Sequence, residues 1–172
     1  LPVEGPPASR ESLVALGLAL AELGPDDPQL FNDLALFSAA HGDVFCRVMQ
    51  PISRRAIELQ TDPSAREALR VGYARSLAVT ALTDEERRAA VAYATPFLEE
   101  LTGADRGVRG TVLLARATAW VGLGALEDAL KDCDEGLLLA PSHLRLSAIR
   151  LRCLVGLGRQ EAACEAARRY SR

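Results

Sequence analysis

The feature that most constrains the fold of this chain is a four-residue sequence that occurs twice, 34 residues apart. Val-Gly-Leu-Gly stands at 121–124 and again at 155–158. Arginine, glutamate and alanine also recur at this offset, at 116/150, 127/161 and 129/163. Seven of the 29 comparable positions are identical, where about two are expected by chance in a chain so rich in Ala and Leu. A fixed period of this length is typical of chains built from stacked supersecondary units.

The apolar residues follow a helical period along most of the chain. Residues 1–8 contain three prolines and no such period, so they are predicted to be a flexible tail before a single domain over 9–172. No β-alternation or hairpin dipeptide occurs, and the class is therefore all-α. The predicted turns are short, which places consecutive helices antiparallel. About nine helices are predicted: from Ser9, after Pro28, over 44–60, from Pro63, from Asp84, and over 111–121, 126–139, 142–155 and 159–170.

Small residues mark the places where these helices should turn or cross. Gly124 and Gly158 end a helix where a left-handed conformation carries no Cβ penalty. Ala129 and Ala163 suit a close contact between helices. Pro141 closes one unit, because proline does not continue the helix behind it.

In these residues the chain resembles the tetratricopeptide repeat family. Counting 34 positions from Gly110 places Trp120 at the large aromatic position of that family. Gly124 then takes the turn, and Ala129, Gly136 and Pro141 take the small, small and proline positions. The resemblance implies a right-handed α-solenoid of antiparallel helix pairs. Its units would be approximately 28–63, 64–105, 110–143 and 144–172, with a half unit at 9–24.

The resemblance also implies where a partner would bind, because the first helix of each unit lines the concave face in this family. The family's contact positions correspond to Thr111, Leu114, Thr118 and Val121 in the third unit, Arg145, Ala148, Arg152 and Val155 in the fourth, and Gln29, Asn32, Leu36 and Ala39 in the first. The Lys/Asn/Arg clamp with which some members hold chaperone carboxylates is not reproduced. Leu36 stands where asparagine is expected, and these positions carry no lysine.

Charge is unevenly distributed along the chain. Residues 1–50 carry seven acids and two arginines, a net −5, and residues 143–172 carry seven arginines and two acids, a net +5. This polarity either orients a partner, favours head-to-tail contacts, or only reflects solvated helix faces. Arg145 and Arg152, two turns apart, either pair with an acidic segment of a partner or simply face water.

The residues that catalysis requires are sparse. There are two histidines, no Cys-x-x-Cys and no glycine-rich phosphate loop, so no catalytic residue, metal or cofactor is predicted. The acidic cluster Asp132, Asp134 and Glu135 is interpreted as a solvated face. The four cysteines are interpreted as buried free thiols, with Cys133 and Cys164 at core-like positions. Nucleic-acid binding is not expected of a chain with net charge −3 and few aromatic residues among its terminal arginines.

The function expected from this resemblance is non-catalytic protein binding, as an adaptor or scaffold. The alternative is a regulatory segment of a longer protein, such as a transcriptional regulator or a secretion or assembly factor. The length of the native reading frame distinguishes the two. No stretch reaches the roughly 18 apolar residues of a membrane span, and a cytoplasmic location is expected. Because the chain starts at Leu1, a removed signal stays an alternative. Its Arg- and Ala-rich composition suggests a bacterial, GC-rich source, and its oligomeric state is left open.

Overall fold

The computed structural model of the protein describes Ala15, Ala19, residues 50–101 and residues 105–170. Residues 50–101 and 105–170 form seven helices and no strand, which confirms the all-α class for this part of the chain. The helices are α1 Gln50–Leu59, α2 Pro63–Thr80, α3 Asp84–Glu100, α4 Arg106–Gly122, α5 Leu126–Leu139, α6 Leu144–Gly156 and α7 Gln160–Tyr170. Ala15 and Ala19, within the first predicted helix, are helical. The rest of that helix, the second predicted helix and the start of the third lie outside the described residues.

The chain divides into two compact units, Leu1–Ser76 and Leu77–Arg172. In the first unit, Ile52 and Ala56 are 0% and 1% exposed. These two residues lie one turn apart on α1 and form its buried face. After α1, the Arg66 Nε atom donates a hydrogen bond of 2.7 Å to the carbonyl oxygen of Gln60.

The second unit contains the end of α2 and all of α3 to α7. A capping box starts α3: the Thr83 hydroxyl accepts a hydrogen bond from the Glu86 amide at 3.2 Å, and the Glu86 carboxylate accepts one from the Thr83 amide at 3.0 Å. Both groups would otherwise be unpaired at a helix start. The helix continues through Pro96 to Glu100, so the proline does not shorten it.

The helices of the second unit pack in chain order. Contacts join α3 to α4, α4 to α5, α5 to α6 and α6 to α7, and α4 also contacts α6. The connections after α4 and α6 are each three residues long, 123–125 and 157–159. Such short connections return each helix alongside the one before it.

The two Val-Gly-Leu-Gly sequences form matching turns. Gly124 and Gly158 have φ values of +76° and +71°, and they are the residues with positive φ in the described part of the chain. The Gly124 amide donates to Val121 O and the Ala125 amide donates to Trp120 O. The same two bonds join 158 to 155 and 159 to 154. Both turns are therefore Schellman motifs, and the predicted left-handed glycines are confirmed.

Small residues lie where the helices of this unit approach closely. Ala129 is fully buried against a cluster that contains Leu130, Cys153 and Leu154. Ala163 belongs to the same cluster and is 6% exposed. At Gly136, a Cβ atom would lie 2.6 Å from Leu146 Cδ1, so a larger residue there would require the Leu146 side chain to move. The small positions expected on α5 are therefore confirmed as packing positions.

Cys133 and Cys153 are buried free thiols, as predicted. Cys164 is exposed, so its assignment to the core was wrong. Its neighbour Ala163 fills the buried position on α7 instead. Cys46 lies outside the described residues.

Candidate partner-binding surface

The predicted contact residues of α6 lie on its exposed face. Arg145, Ala148, Arg152 and Val155 are spaced by three, four and three residues and therefore share one side of the helix. All four are exposed, as is Leu144 at the start of the helix. Val155 keeps 62% of its surface exposed and Leu144 keeps 66%. We call these five residues the α6 strip.

The predicted contact residues of α4 are less accessible. Thr111, Leu114, Thr118 and Val121 are each partly buried. The two hydroxyls donate hydrogen bonds within their own helix, to Gly107 O at 2.9 Å and to Leu114 O at 2.8 Å. They keep acceptor capacity for a partner. Leu114 packs against the cluster of Ala117, Cys133 and Leu146, so much of its side chain serves the core.

Helices α4 and α6 are in contact, so the two sets of predicted contact residues lie on neighbouring helices. Leu114 lies at this contact, since its cluster includes Leu146 and Ile149 of α6. The remaining candidates, Asn32 and Leu36, lie outside the described residues, as do Gln29 and Ala39.

Arg145 and Arg152 have no carboxylate partner among the residues that the structure describes. Other arginines of the second unit do. Arg116 forms a bidentate salt bridge with Asp132, in which Nε donates to Oδ2 at 2.9 Å and Nη2 donates to Oδ1 at 2.7 Å. Its Nη1 also donates to the Thr95 hydroxyl of α3 at 3.2 Å. This guanidinium therefore joins three helices.

Arg109 forms the same kind of junction two turns away on α4. Its Nε and Nη2 donate to Glu135 Oε1 at 2.8 and 2.5 Å, and its Nη1 donates to Leu98 O at 2.8 Å. Arg150 of α6 donates to Asp134 at 2.6 Å. Arg159 donates to Glu127 at 2.6 Å. Helix α5 is thus an acidic helix whose carboxylates hold arginines from several other segments.

The interpretation of the acidic cluster as a solvated face was wrong for Asp132, whereas the side chains of Asp134 and Glu135 stay 51% and 42% exposed. Asp132 is 4% exposed, and all three carboxylates pair with arginines from other helices. One signal in the sequence points to the central pair. Arg116 and Asp132 lie eight residues on either side of Gly124, which places them opposite each other once the glycine turns the chain.

Burial dominates the ionisation of the buried groups near this network. It raises the pKa of Asp132, while the hydrogen bonds and charge of Arg116 oppose the shift. For Arg116 the largest effect is instead the hydrogen bonding that it donates to Asp132, which raises its pKa. Burial also raises the pKa of Cys133 to about 12, so its thiol is a poor nucleophile near neutral pH.

Other potentially reactive groups in the described part of the chain have structural roles. His143 caps α6, and its Nδ1 accepts a hydrogen bond from the Leu146 amide at 3.3 Å. Within residues 50–101 and 105–170, no three His, Cys, Asp or Glu side chains lie together as metal ligands would. No helix in this part of the chain has the length and apolar character of a membrane span.

No protein-family model, curated protein or solved structure matches this chain.

Proposed function

We propose that this chain is a non-catalytic protein-binding module of tetratricopeptide type, in which the α6 strip and the accessible residues of α4 receive a partner protein. The observation that carries this proposal is the pair of matching hairpins, α4–α5 and α6–α7. Both turn on the same Schellman motif 34 residues apart, and their first helices are in contact. Stacked pairs of this kind would form the right-handed α-solenoid expected from the sequence.

The surface chemistry supports an acidic segment as the partner. Arg109, Arg116 and Arg150 are occupied by carboxylates of α5, so their charges act within the fold. Arg145 and Arg152 donate no hydrogen bond to a carboxylate of the described residues. A guanidinium binds a carboxylate through two parallel hydrogen bonds, and each such contact contributes about 1.5–3 kcal/mol when it is partly buried by the partner.

The lack of a catalytic role is part of the same proposal. The buried thiols of Cys133 and Cys153 have raised pKa values, each chiefly because of burial. The ring nitrogen of His143 serves a helix cap. A cytoplasmic location is also proposed, since the free thiols at 133, 153 and 164 suit a reducing compartment.

A site-specific cross-linking experiment tests where the partner binds. A photoactivatable amino acid replaces Ala148, at the centre of the α6 strip, and the protein is irradiated in extracts of its source. The control variant carries the same group at Ala92, which is exposed on α3. We expect a defined cross-linked protein at 148 that is not formed at 92.

The affinity of that protein for charge-reversed variants then tests the role of the arginines. The double variant Arg145→Glu, Arg152→Glu should fold normally and bind at least about tenfold more weakly, which corresponds to about 1.4 kcal/mol. Arg88→Glu, Arg106→Glu is the matched control, because both residues are exposed and have no carboxylate partner in the described part of the chain. Equal affinities for the two double variants, measured by titration calorimetry, would place the site elsewhere.

A further inference from the structure

Two pairs of arginines in the second unit have the same spacing along a helix. Arg109 and Arg116 lie seven residues apart on α4, and Arg145 and Arg152 lie seven residues apart on α6. Seven residues correspond to about two turns, or about 10.5 Å along the axis. The members of each pair therefore point to the same side of their helix.

The pair on α4 shows what such a spacing binds. Asp132 and Glu135, three residues apart on α5, each take one of its guanidinium groups. Arg116 is paired with the earlier acid and Arg109 with the later one, so the acidic helix runs antiparallel to α4. Three residues span only about 4.5 Å. The long arginine side chains and the different lengths of Asp and Glu make up the difference.

The pair on α6 presents the same spacing to solvent. Its two arginines are separated by Ala148, whose small side chain leaves room for another helix to approach. Leu144 and Val155 stand at the two ends of the strip, 66% and 62% exposed. The strip therefore offers two positive charges over a shallow centre, with an apolar side chain at each end.

From this correspondence we infer that the α6 strip binds a partner helix that runs antiparallel to α6 and carries two carboxylates three residues apart. Apolar residues about one turn beyond each carboxylate cover Leu144 and Val155. This inference rests on the proposed function and specifies the chemistry of the partner. A helix is favoured over a nucleic-acid strand because a phosphate backbone would satisfy the arginines and leave both apolar ends uncovered.

Two designed peptides test the spacing. Both are fluorescein-labelled helices of about 20 residues with identical composition, built on Ala and Gln with two Leu. In the first, Asp and Glu lie three residues apart on the face that carries the leucines. In the second, the two acids lie two residues apart and so point to different sides of the helix. Fluorescence anisotropy with the full chain should give an affinity at least about tenfold higher for the first peptide.

Charge reversal on the protein provides the second arm. Arg145→Glu, Arg152→Glu should lose at least about tenfold in affinity for the first peptide, and it should gain affinity for a version in which Lys replaces both acids. Arg88→Glu, Arg106→Glu should bind like the wild type. Circular dichroism of each variant confirms that folding is unchanged.

The outcomes separate this inference from the proposed function. If the two acidic peptides bind equally well, and both lose affinity for the Arg145/Arg152 variant, the inferred carboxylate spacing is wrong. The α6 strip would still be a surface that binds an acidic partner. Binding of neither peptide at concentrations up to about 1 mM also overturns the inference, while cross-linking at residue 148 tests the surface independently. Peptide binding that does not depend on the two arginines would show that the α6 strip is not the binding surface. Displacement of the bound peptide by an equimolar single-stranded oligonucleotide would overturn the choice of a protein partner.

Discussion

The buried ion pair between Arg116 and Asp132 gives the sharpest test of how the second unit is held together. Removal of the carboxylate in Asp132→Ala leaves the largely buried Arg116 guanidinium without its charged partner, with the Thr95 hydroxyl as its one remaining acceptor among the described residues. Breaking a fully buried pair from one side costs about 3–5 kcal/mol. The Arg116 side chain keeps 19% of its surface exposed, so water compensates in part, and we expect a loss of about 2–3 kcal/mol.

Removing both charges should cost much less than removing one. In Arg116→Met, Asp132→Leu no charge is left without a partner, and apolar replacements of buried pairs are often neutral or stabilising. We therefore expect the double variant to lie within about 1 kcal/mol of the wild type, and so to be more stable than Asp132→Ala by about 1–2 kcal/mol. The measurement is urea unfolding followed by circular dichroism at 222 nm, with the m-value checked for each variant.

Asp128→Ala is the matched control for Asp132→Ala. Asp128 lies one turn before Asp132 on α5 and pairs with Lys131 at the surface. An exposed pair of neighbouring residues contributes little to stability, so its unfolding midpoint should match that of the wild type. If Asp132→Ala were no more harmful than Asp128→Ala, or if the double variant were as unstable as Asp132→Ala, the assigned role of the ion pair would be refuted.

Three further predictions concern the turns, the core and the thiols. Gly124→Ala should cost about 1–2 kcal/mol, because alanine is strained at positive φ. Gly72 lies in a helix with open space around a new Cβ, so Gly72→Ala should stabilise the fold by about 0.5–1 kcal/mol in thermal unfolding. The same sign for both variants would contradict the turn geometry. Ala129→Leu should lose about 1–3 kcal/mol from overpacking, and unchanged urea unfolding would contradict its burial. The folded pKa of Cys133 is raised to about 12. The contribution of this thiol to the free energy of unfolding is therefore complete below the unfolded pKa of about 8.5 and is lost as the pH rises above that value. The stability difference between wild type and Cys133→Ala should thus fall by about 1.4 kcal/mol per pH unit above pH 9, and a constant difference up to pH 10.5 would refute the shift.

The helix boundaries were predictable wherever local signals agreed. The span 126–139 was predicted and is observed as α5, because a left-handed glycine precedes it and a proline follows it. Helix α4 begins five residues before the predicted Thr111. Asp105 caps it by accepting a hydrogen bond from the Gly107 amide at 2.6 Å. Glycines at 107 and 110 dilute the apolar period at this end, and the cap was therefore missed.

The faces of the helices were harder to predict than their ends. Asp132 lies among other acids, so the local pattern favours solvent, and only the pairing of α4 with α5 reveals its arginine partner. Cys164 and Ala163 are adjacent on α7, where a rotation of one residue exchanges the buried and exposed sides. Four of the five residues of the α6 strip, all but Leu144, were predicted as contact residues because their spacing matches a family pattern, and their exposure is visible in the structure. No local sequence signal identifies a partner for this strip.

The distribution of ion pairs changes how the charge of the C-terminal segment should be understood. Residues 143–172 carry a net +5, which suggests a broad basic surface. Two of these arginines, Arg150 and Arg159, are bound to carboxylates of α5, and their charge is already balanced within the unit. The charge that the described surface of α6 offers to a partner is therefore that of Arg145 and Arg152. In the proposed α6 site, two charges on one helix face would distinguish partners by the spacing of their carboxylates, whereas a diffuse basic surface would attract any polyanion.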